Sequence, residues 1–164
     1  MKPLQILESK IRSRSQAAIL VQQWKNEGHK VVFSNGCFDI LHLGHIEYLA
    51  KAAASGDRMI IGLNTDDSVR RLKGESRPIN KETARAKLLA ALAFVDAVVL
   101  FDEETPLELI TSLLPNVLVK GSDYKIEDVV GYDIVTQHGG EVATIDLTPG
   151  YSTTGTIEKL QNNG

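Results

Sequence analysis

His42 and His45 stand three residues apart with Gly44 between them, just after a short apolar run and a turn that holds Asn35, Gly36 and Asp39. The run Val31 to Ser34 predicts a buried strand, and the histidines fall in the first turn of the helix that follows. A helix N-terminus at the end of its own strand presents free N–H groups and the positive end of the helix dipole, so this place suits an anion. Residues three apart in a helix share a face, so both imidazoles lean over that place as hydrogen-bond donors to phosphate oxygens. Gly44 leaves the backbone bare for close approach.

The elements that must position these groups follow from the apolar pattern. One helix is predicted over Leu4 to Gly28, with Ile11, Ala17, Ala18, Leu20, Val21 and Trp24 near one face and Gly28 as its stop. After the first strand and the helix from Gly44 to about Ser55, a second strand spans Asp57 to Asn64, whose run Met59 to Leu63 has the habit of a strand buried on both faces. Thr65 to Lys81 is polar and predicts a loop with a short helical turn near Ser68 to Leu72. A helix over Lys81 to Phe94, a strand over Val95 to Phe101, a helix over Pro106 to Leu114 and a strand over Val117 to Val119 come next. The chain then predicts a helix over Ile126 to His138, a fifth strand over Glu141 to Leu147 and a last helix of about two turns from Gly155 to Gln161, capped by Ser152 or Thr153.

Strands alternating with helices predict an α/β domain, a Rossmann-like doubly wound parallel sheet of about five strands with right-handed crossovers. In such a sheet ligands bind beyond the carboxyl ends of the strands. The polar clusters of the chain all fall there: Asn35 to His45, Asn64 to Asp67, Lys120 to Tyr124 and Thr148 to Thr154. That coincidence points to a phosphate-rich ligand.

With 164 residues the chain is expected to form one domain, and its 43% hydrophobic and 24% charged content with a net charge of -3 is ordinary for a globular protein. The balance carries no electrostatic footprint for nucleic acid. The apolar runs are strand-sized and the N-terminus lacks a signal-peptide core, so no membrane partner is expected and the protein is expected to be cytoplasmic. Cys37, the single cysteine, can form no internal disulfide and packs as a small apolar residue.

Gly36-Cys37-Phe38-Asp39 followed by His42-Leu43-Gly44-His45, together with Tyr151-Ser152-Thr153-Thr154, resembles the His-x-Gly-His and Ser-Thr-Thr signatures of the cytidylyltransferase-like nucleotidyltransferases. Arg71 to Asn80 and Val119-Lys120-Gly121-Ser122-Asp123-Tyr124 narrow the likeness to the adenylyltransferase domain of bacterial heptose-phosphate kinase/adenylyltransferases. The resemblance runs from about Lys30 to Leu160. It implies a nucleotidyltransferase domain over 30–164 behind a helical segment at 1–29, and transfer of AMP from ATP to a sugar 1-phosphate, with D-glycero-D-manno-heptose 1-phosphate expected and pyrophosphate released. His42, His45, Lys73 and Arg77 would be catalytic, the last two from a mobile loop. Asn35, Gly36, Cys37, Phe38, Asp39, Gly44, Asn64, Lys120, Gly121, Asp123, Tyr151, Ser152, Thr153 and Thr154 would hold the nucleotide, and Asp66 and Arg71 the second substrate. Asp39 has a second reading, as a residue that fixes the turn. Mg²⁺ would arrive with the triphosphate, bound by phosphate oxygens and water with no protein metal ligand, and a homodimer is expected.

The chain departs from the pattern at Thr65, where serine is expected, and at Gly155, where Lys or Asn is more usual after the Ser-Thr-Thr motif. It also lacks the kinase half of the bifunctional proteins, which leads to the expectation of a free-standing transferase or one with a separately encoded kinase. Two other readings share the motifs: a cytidylyltransferase acting with CTP on glycerol 3-phosphate or a similar phosphorylated alcohol, and a nucleotide-binding sensor without turnover.

Overall fold

The computed structural model describes all residues, Met1 to Gly164. Six parallel strands form one sheet: β1 (Ile11–Arg12), β2 (Val31–Gly36), β3 (Arg58–Asn64), β4 (Ala97–Phe101), β5 (Val117–Gly121) and β6 (Glu141–Ile145), in the order β1-β4-β3-β2-β5-β6. The chain leaves β2 in one direction through β3 to β4 and then crosses to β5 on the other side of β2, so the strand order reverses between β2 and β5. That reversal opens a crevice at the carboxyl ends.

Alternate residues of the central strands feed two separate cores, as the two-residue period of a strand requires. Val31, Phe33, Ile60, Val99 and Leu118 pack with Ala17, Val21 and Trp24 of α2 (Arg14–Asn26), Leu109, Ile110 and Leu113 of α6 (Leu107–Leu113) and Val135 of α7 (Tyr132–Gln137). Val32, Ile61, Leu63, Val98 and Val119 face the other way, onto Tyr48, Leu49 and Ala52 of α3 (Leu43–Ala53) and Ala86, Leu89 and Ala90 of α5 (Glu82–Ala90). No helix is long and apolar enough to cross a membrane.

Four expectations change. The helix predicted over Leu4 to Gly28 is two helices, α1 (Pro3–Lys10) and α2, with β1 between them. Ile11 and Arg12 pair with Val98 and Val99, adding a sixth strand at the sheet edge. Ser13 then restarts the helix: its hydroxyl accepts from the Gln16 N–H at 3.2 Å, while the Gln16 side chain accepts from the Ser13 N–H at 3.0 Å. Residues 1–29 are therefore helical except for this strand, which joins the sheet of the main domain.

The polar stretch after β3 contains a full helix, α4 (Asp66–Lys73), capped by Thr65 and with acidic residues in its first turn and basic residues in its last. The helix predicted over Ile126 to His138 divides into a 3-10 turn, Ile126–Asp128, and α7, because Gly131 takes a left-handed conformation at φ +93°. The last helix, α8 (Thr153–Asn162), begins at the Ser152 cap, two residues earlier than expected.

Arg85, on α5, is 0% exposed although it carries a charge. Its guanidinium donates to the main-chain carbonyls of Cys37 at 2.7 Å, Asn64 at 2.8 Å and Asn80 at 2.9 Å, and to the Asp66 carboxylate at 2.8 Å. Arg85→Met should lower unfolding free energy by about 3 kcal/mol or more, because it strands these acceptors. Urea denaturation of the two proteins measures this, and an unchanged midpoint would refute the account.

Candidate functional site

A cleft of about 680 Å³ lies across the carboxyl ends of β2, β3, β4 and β5 and against the N-terminus of α8. The structure brings together there His42, His45, Lys73 and Arg77, and all fourteen residues expected to hold the nucleotide: Asn35, Gly36, Cys37, Phe38, Asp39, Gly44, Asn64, Lys120, Gly121, Asp123, Tyr151, Ser152, Thr153 and Thr154. Asp66 and Arg71 are not among its lining residues. Asp66 instead accepts from the Glu82 N–H at 2.8 Å and from Arg85, while its own N–H donates to the Glu82 carboxylate at 2.7 Å. Arg71 is turned to Asp102, whose main-chain carbonyl and carboxylate it engages.

The turn between β2 and α3 is built on a strained residue. Phe38 adopts φ +45°, uncommon for a bulky side chain, and its ring meets His45 edge-on with centroids 5.2 Å apart. His42 is the N-cap of α3: its Nδ1 accepts from the His45 N–H at 3.3 Å, which leaves the ring proton on Nε2. The two imidazoles stack at 3.7 Å between centroids and 19° between planes. A Cβ on Gly44 would come within 3.0 Å of the His42 ring and of the Tyr151 Cβ, so glycine here makes room for the chain's own side chains.

Burial and the neighbouring His42 push His45 down to about 4, with the Ile40 carbonyl working the other way, and burial also lowers His42. Both rings are thus neutral at neutral pH. The Nδ1 of His45 is buried with no hydrogen-bond partner in the chain.

Asp39 is 1% exposed. Burial alone would raise it, but the N–H groups of Asn80 and Ile79 and the Arg77 guanidinium hold it below the ordinary carboxylate range. Its oxygens accept from the Ile79 N–H at 2.9 Å, the Asn80 N–H at 2.8 Å and Arg77 Nε at 2.7 Å. The bond within its own turn expected in the second reading of Asp39 is absent; its contacts fasten the distant segment 77–80 instead. Arg77 differs from expectation for the same reason: it is fastened into the cleft wall by a carboxylate, with 12% of its side chain exposed.

Lys73 and Lys120 take part in none of the chain's ion pairs. Lys120 lies 5.6 Å from the centre of the Tyr124 ring, and burial lowers it while Asp123 and Cys37 pull the other way. The Cys37 thiol is pushed up by burial in spite of Lys73, Arg85 and Arg77, so it stays protonated and unreactive. At the far wall, Ser152 caps α8 by accepting from the Gly155 N–H at 2.9 Å, and Thr153 Oγ1 donates to the Ile40 carbonyl at 3.3 Å. A Cβ on Gly155 would lie 2.8 Å from Ser152 Oγ.

Sequence reasoning missed Tyr48 and Arg85. Tyr48 OH hydrogen-bonds Ser34 Oγ at 2.8 Å and donates to the Val119 carbonyl at 3.2 Å, tying α3 to β2 and β5 under the cleft. Burial pushes it up to about 12. Each is a polar residue at an inward position of an apolar helix face, the only trace it leaves in the sequence.

Fold and cleft together define a Rossmann-like nucleotidyltransferase domain. The chain belongs to the cytidylyltransferase-like family, whose sequence pattern matches residues 33–159. It is 56% identical over 149 residues to the bifunctional protein HldE of Azorhizobium caulinodans, covering 91% of this chain and 31% of that protein. The HldE of Mesorhizobium japonicum is 58% identical over 151 residues, covering 92% and 30%. The chain therefore spans about a third of the length of these relatives. Among solved structures, the lipopolysaccharide core biosynthesis protein of Thermoplasma volcanium superposes with a TM-score of 0.60 at 27% identity, over 73% of this chain and 97% of that one. Pantoate-beta-alanine ligase of Francisella tularensis shares the fold, with a TM-score of 0.61 at 15% identity over 88% and 69% of the two chains.

The buried histidine couples stability to pH. In the unfolded chain His45 takes up a proton near its ordinary 6.5, in the native protein only near 4. Between these values the unfolded state binds more protons, so stability falls as pH drops from 6.5 toward 4 and this contribution saturates below. Urea titrations at stepped pH should show a shallower loss for His45→Gln over this window. Equal slopes would place the effect elsewhere.

Proposed function

We propose that the chain transfers AMP from ATP to a sugar 1-phosphate, D-glycero-D-manno-heptose 1-phosphate in the reading favoured by its likeness to the HldE proteins, and releases pyrophosphate. The observation that carries the reaction is the neutral, stacked His42–His45 pair in one cleft with the N-terminus of α8. The likeness to a protein of lipopolysaccharide core biosynthesis supports a sugar as acceptor.

The nucleophile is an oxygen of the sugar phosphate, already ionised at neutral pH, so no base is needed. It forms a bond to the α-phosphorus of ATP as the bond from that phosphorus to the bridging oxygen of the pyrophosphate breaks. What the protein must supply is alignment and donors for the charge that gathers on the α-phosphoryl and leaving oxygens. His42 donates from Nε2, and His45 lies stacked against it over the same oxygens. Each ring offers an N–H to those oxygens. Ser152, Thr153 and Thr154 with the first N–H groups of α8 hold the β- and γ-phosphates, and Lys73 and Lys120 add unpaired positive charge.

Mg²⁺ accompanies the triphosphate in this reading and screens its charge when bound. The ion is carried mainly on phosphate oxygens and water. The same reading has the protein working as a homodimer in the cytoplasm.

Mixing the protein with Mg²⁺, the heptose 1-phosphate and either ATP or CTP should release pyrophosphate faster with ATP. A CTP preference would move the assignment to cytidylyl transfer, and nucleotide binding without pyrophosphate would make the chain a sensor. His45→Ala should lower turnover roughly 10²- to 10³-fold with a much smaller change in ATP affinity.

A further inference from the structure

We propose that Glu104, at the β4 end of the cleft, reads the hydroxyl groups of the acceptor, with Asn64 and Thr105 beside it; this rests on the sugar phosphate transfer argued above. The starting point is the acidic run that follows β4, Asp102-Glu103-Glu104. Two of its carboxylates are consumed in fastening the loop. Asp102 accepts from the Thr65 hydroxyl and pairs with Arg71 at 3.2 Å, and Glu103 pairs with Arg14 and accepts from the Asp102 N–H at 3.1 Å. Glu104 takes part in no ion pair and lines the cleft with Asn64, Thr105 and Pro106.

A carboxylate accepts hydrogen bonds and donates none, and it repels phosphate. Beside Lys120 at the β5 end the rest of the cleft has one further carboxylate free of ion pairs, Asp123, and it holds the α8 N-terminus, the two histidines, Lys120 and Lys73. The phosphates therefore lie toward those groups, and whatever rests against Glu104 must bring hydrogen-bond donors. Both substrates carry hydroxyls: Asp123 at the β5 end faces those of the ribose, which leaves Glu104 at the β4 end for those of the sugar. The two oxygens of a carboxylate can each accept from one of two neighbouring hydroxyls of the sugar.

Asn64 supports the same division. It is 4% exposed, and its Nδ2 donates to Ser68 Oγ at 2.9 Å, which orients the amide and leaves Oδ1 as an acceptor. Lys73, on α4 at the edge of the same half of the cleft, supplies the cation for the acceptor's phosphate. The β4 and β3 ends thus recognise the acceptor, and the β5 end and α8 recognise the nucleotide.

Glu104 is exposed, so Glu104→Gln and Glu104→Ala should fold with an unchanged urea midpoint. For both variants the KM for the heptose 1-phosphate should rise roughly 10- to 100-fold while the KM for ATP stays the same. Calorimetry with an unreactive α,β-methylene analogue of ATP present gives binding without turnover. There, deoxy sugar 1-phosphates should bind the wild type as weakly as the intact sugar phosphate binds Glu104→Ala, and that variant should not distinguish the two. The inference is overturned if Glu104→Ala binds the intact sugar phosphate as tightly as the wild type, or if only the KM for ATP moves. If no sugar phosphate yields pyrophosphate with the wild type, the transfer reading falls while the calorimetry still decides. Binding by the wild type and loss in Glu104→Ala would support the role of Glu104, and absence of binding to the wild type would overturn both.

Discussion

One buried cation holds the cleft in shape. Arg85 collects main-chain carbonyls from the end of β2, the end of its neighbour β3 and the segment after α4. Carbonyls at strand ends have lost their ladder partners and would be costly to bury alone. A guanidinium can satisfy several at once because its donors lie in a rigid plane. Its charge is balanced by Asp66, itself fixed by exchange with Glu82 at the start of α5. Asp39 does the complementary task with an anion, gathering the N–H groups of Ile79 and Asn80. Between them, two opposite charges determine where the loops around the cleft begin.

This arrangement also decides the electrostatics that a phosphate meets. A carboxylate on the floor of a triphosphate site would be repulsive, but Asp39 is covered by two N–H groups and Arg77 and shows little bare charge to the cleft. The cations left without carboxylates are Lys73 and Lys120, on opposite sides of the histidine turn. Paired charges therefore build the walls and unpaired ones face the ligand. Asp66 and Arg71 belong to the first kind, and so they sit outside the cleft although their sequence neighbours line it.

The sequence made the strands legible because their apolar runs are dense and their ends are marked by glycine, asparagine and proline. It made the site legible because a parallel sheet sends every strand-end cluster to the same edge. Three features stayed hidden for physical reasons. Ile11 and Arg12 form a strand of two residues, too short to show an alternation of its own among the apolar residues that flank it. The polarity of α4 resembles a loop, since a helix lying over a cleft buries only Ser68 and Val69. Arg85 looks like any charged residue in an amphipathic helix, and only its depth shows that the loops converge on it.

The wall that grips the phosphates is the least anchored part of this design. Helix α8 has no buried residue, and it is joined to the rest of the cleft through the Thr153 bond to Ile40 and the approach of Tyr151 to Gly44 and His42. The histidine turn, by contrast, is locked by Tyr48 beneath it and by Arg85 and Asp39 beside it. Elements with few buried apolar contacts open at low free energy. The cleft is thus rigid where the proposed reaction puts the α-phosphorus and compliant where it puts the departing pyrophosphate. Rigidity at the α-phosphate maintains the donor geometry on which transition-state stabilisation depends. In the proposed reaction, compliance at α8 would let the hydroxyls assigned to the β- and γ-phosphates withdraw after transfer, so tight binding of the triphosphate would not have to mean slow release of the product.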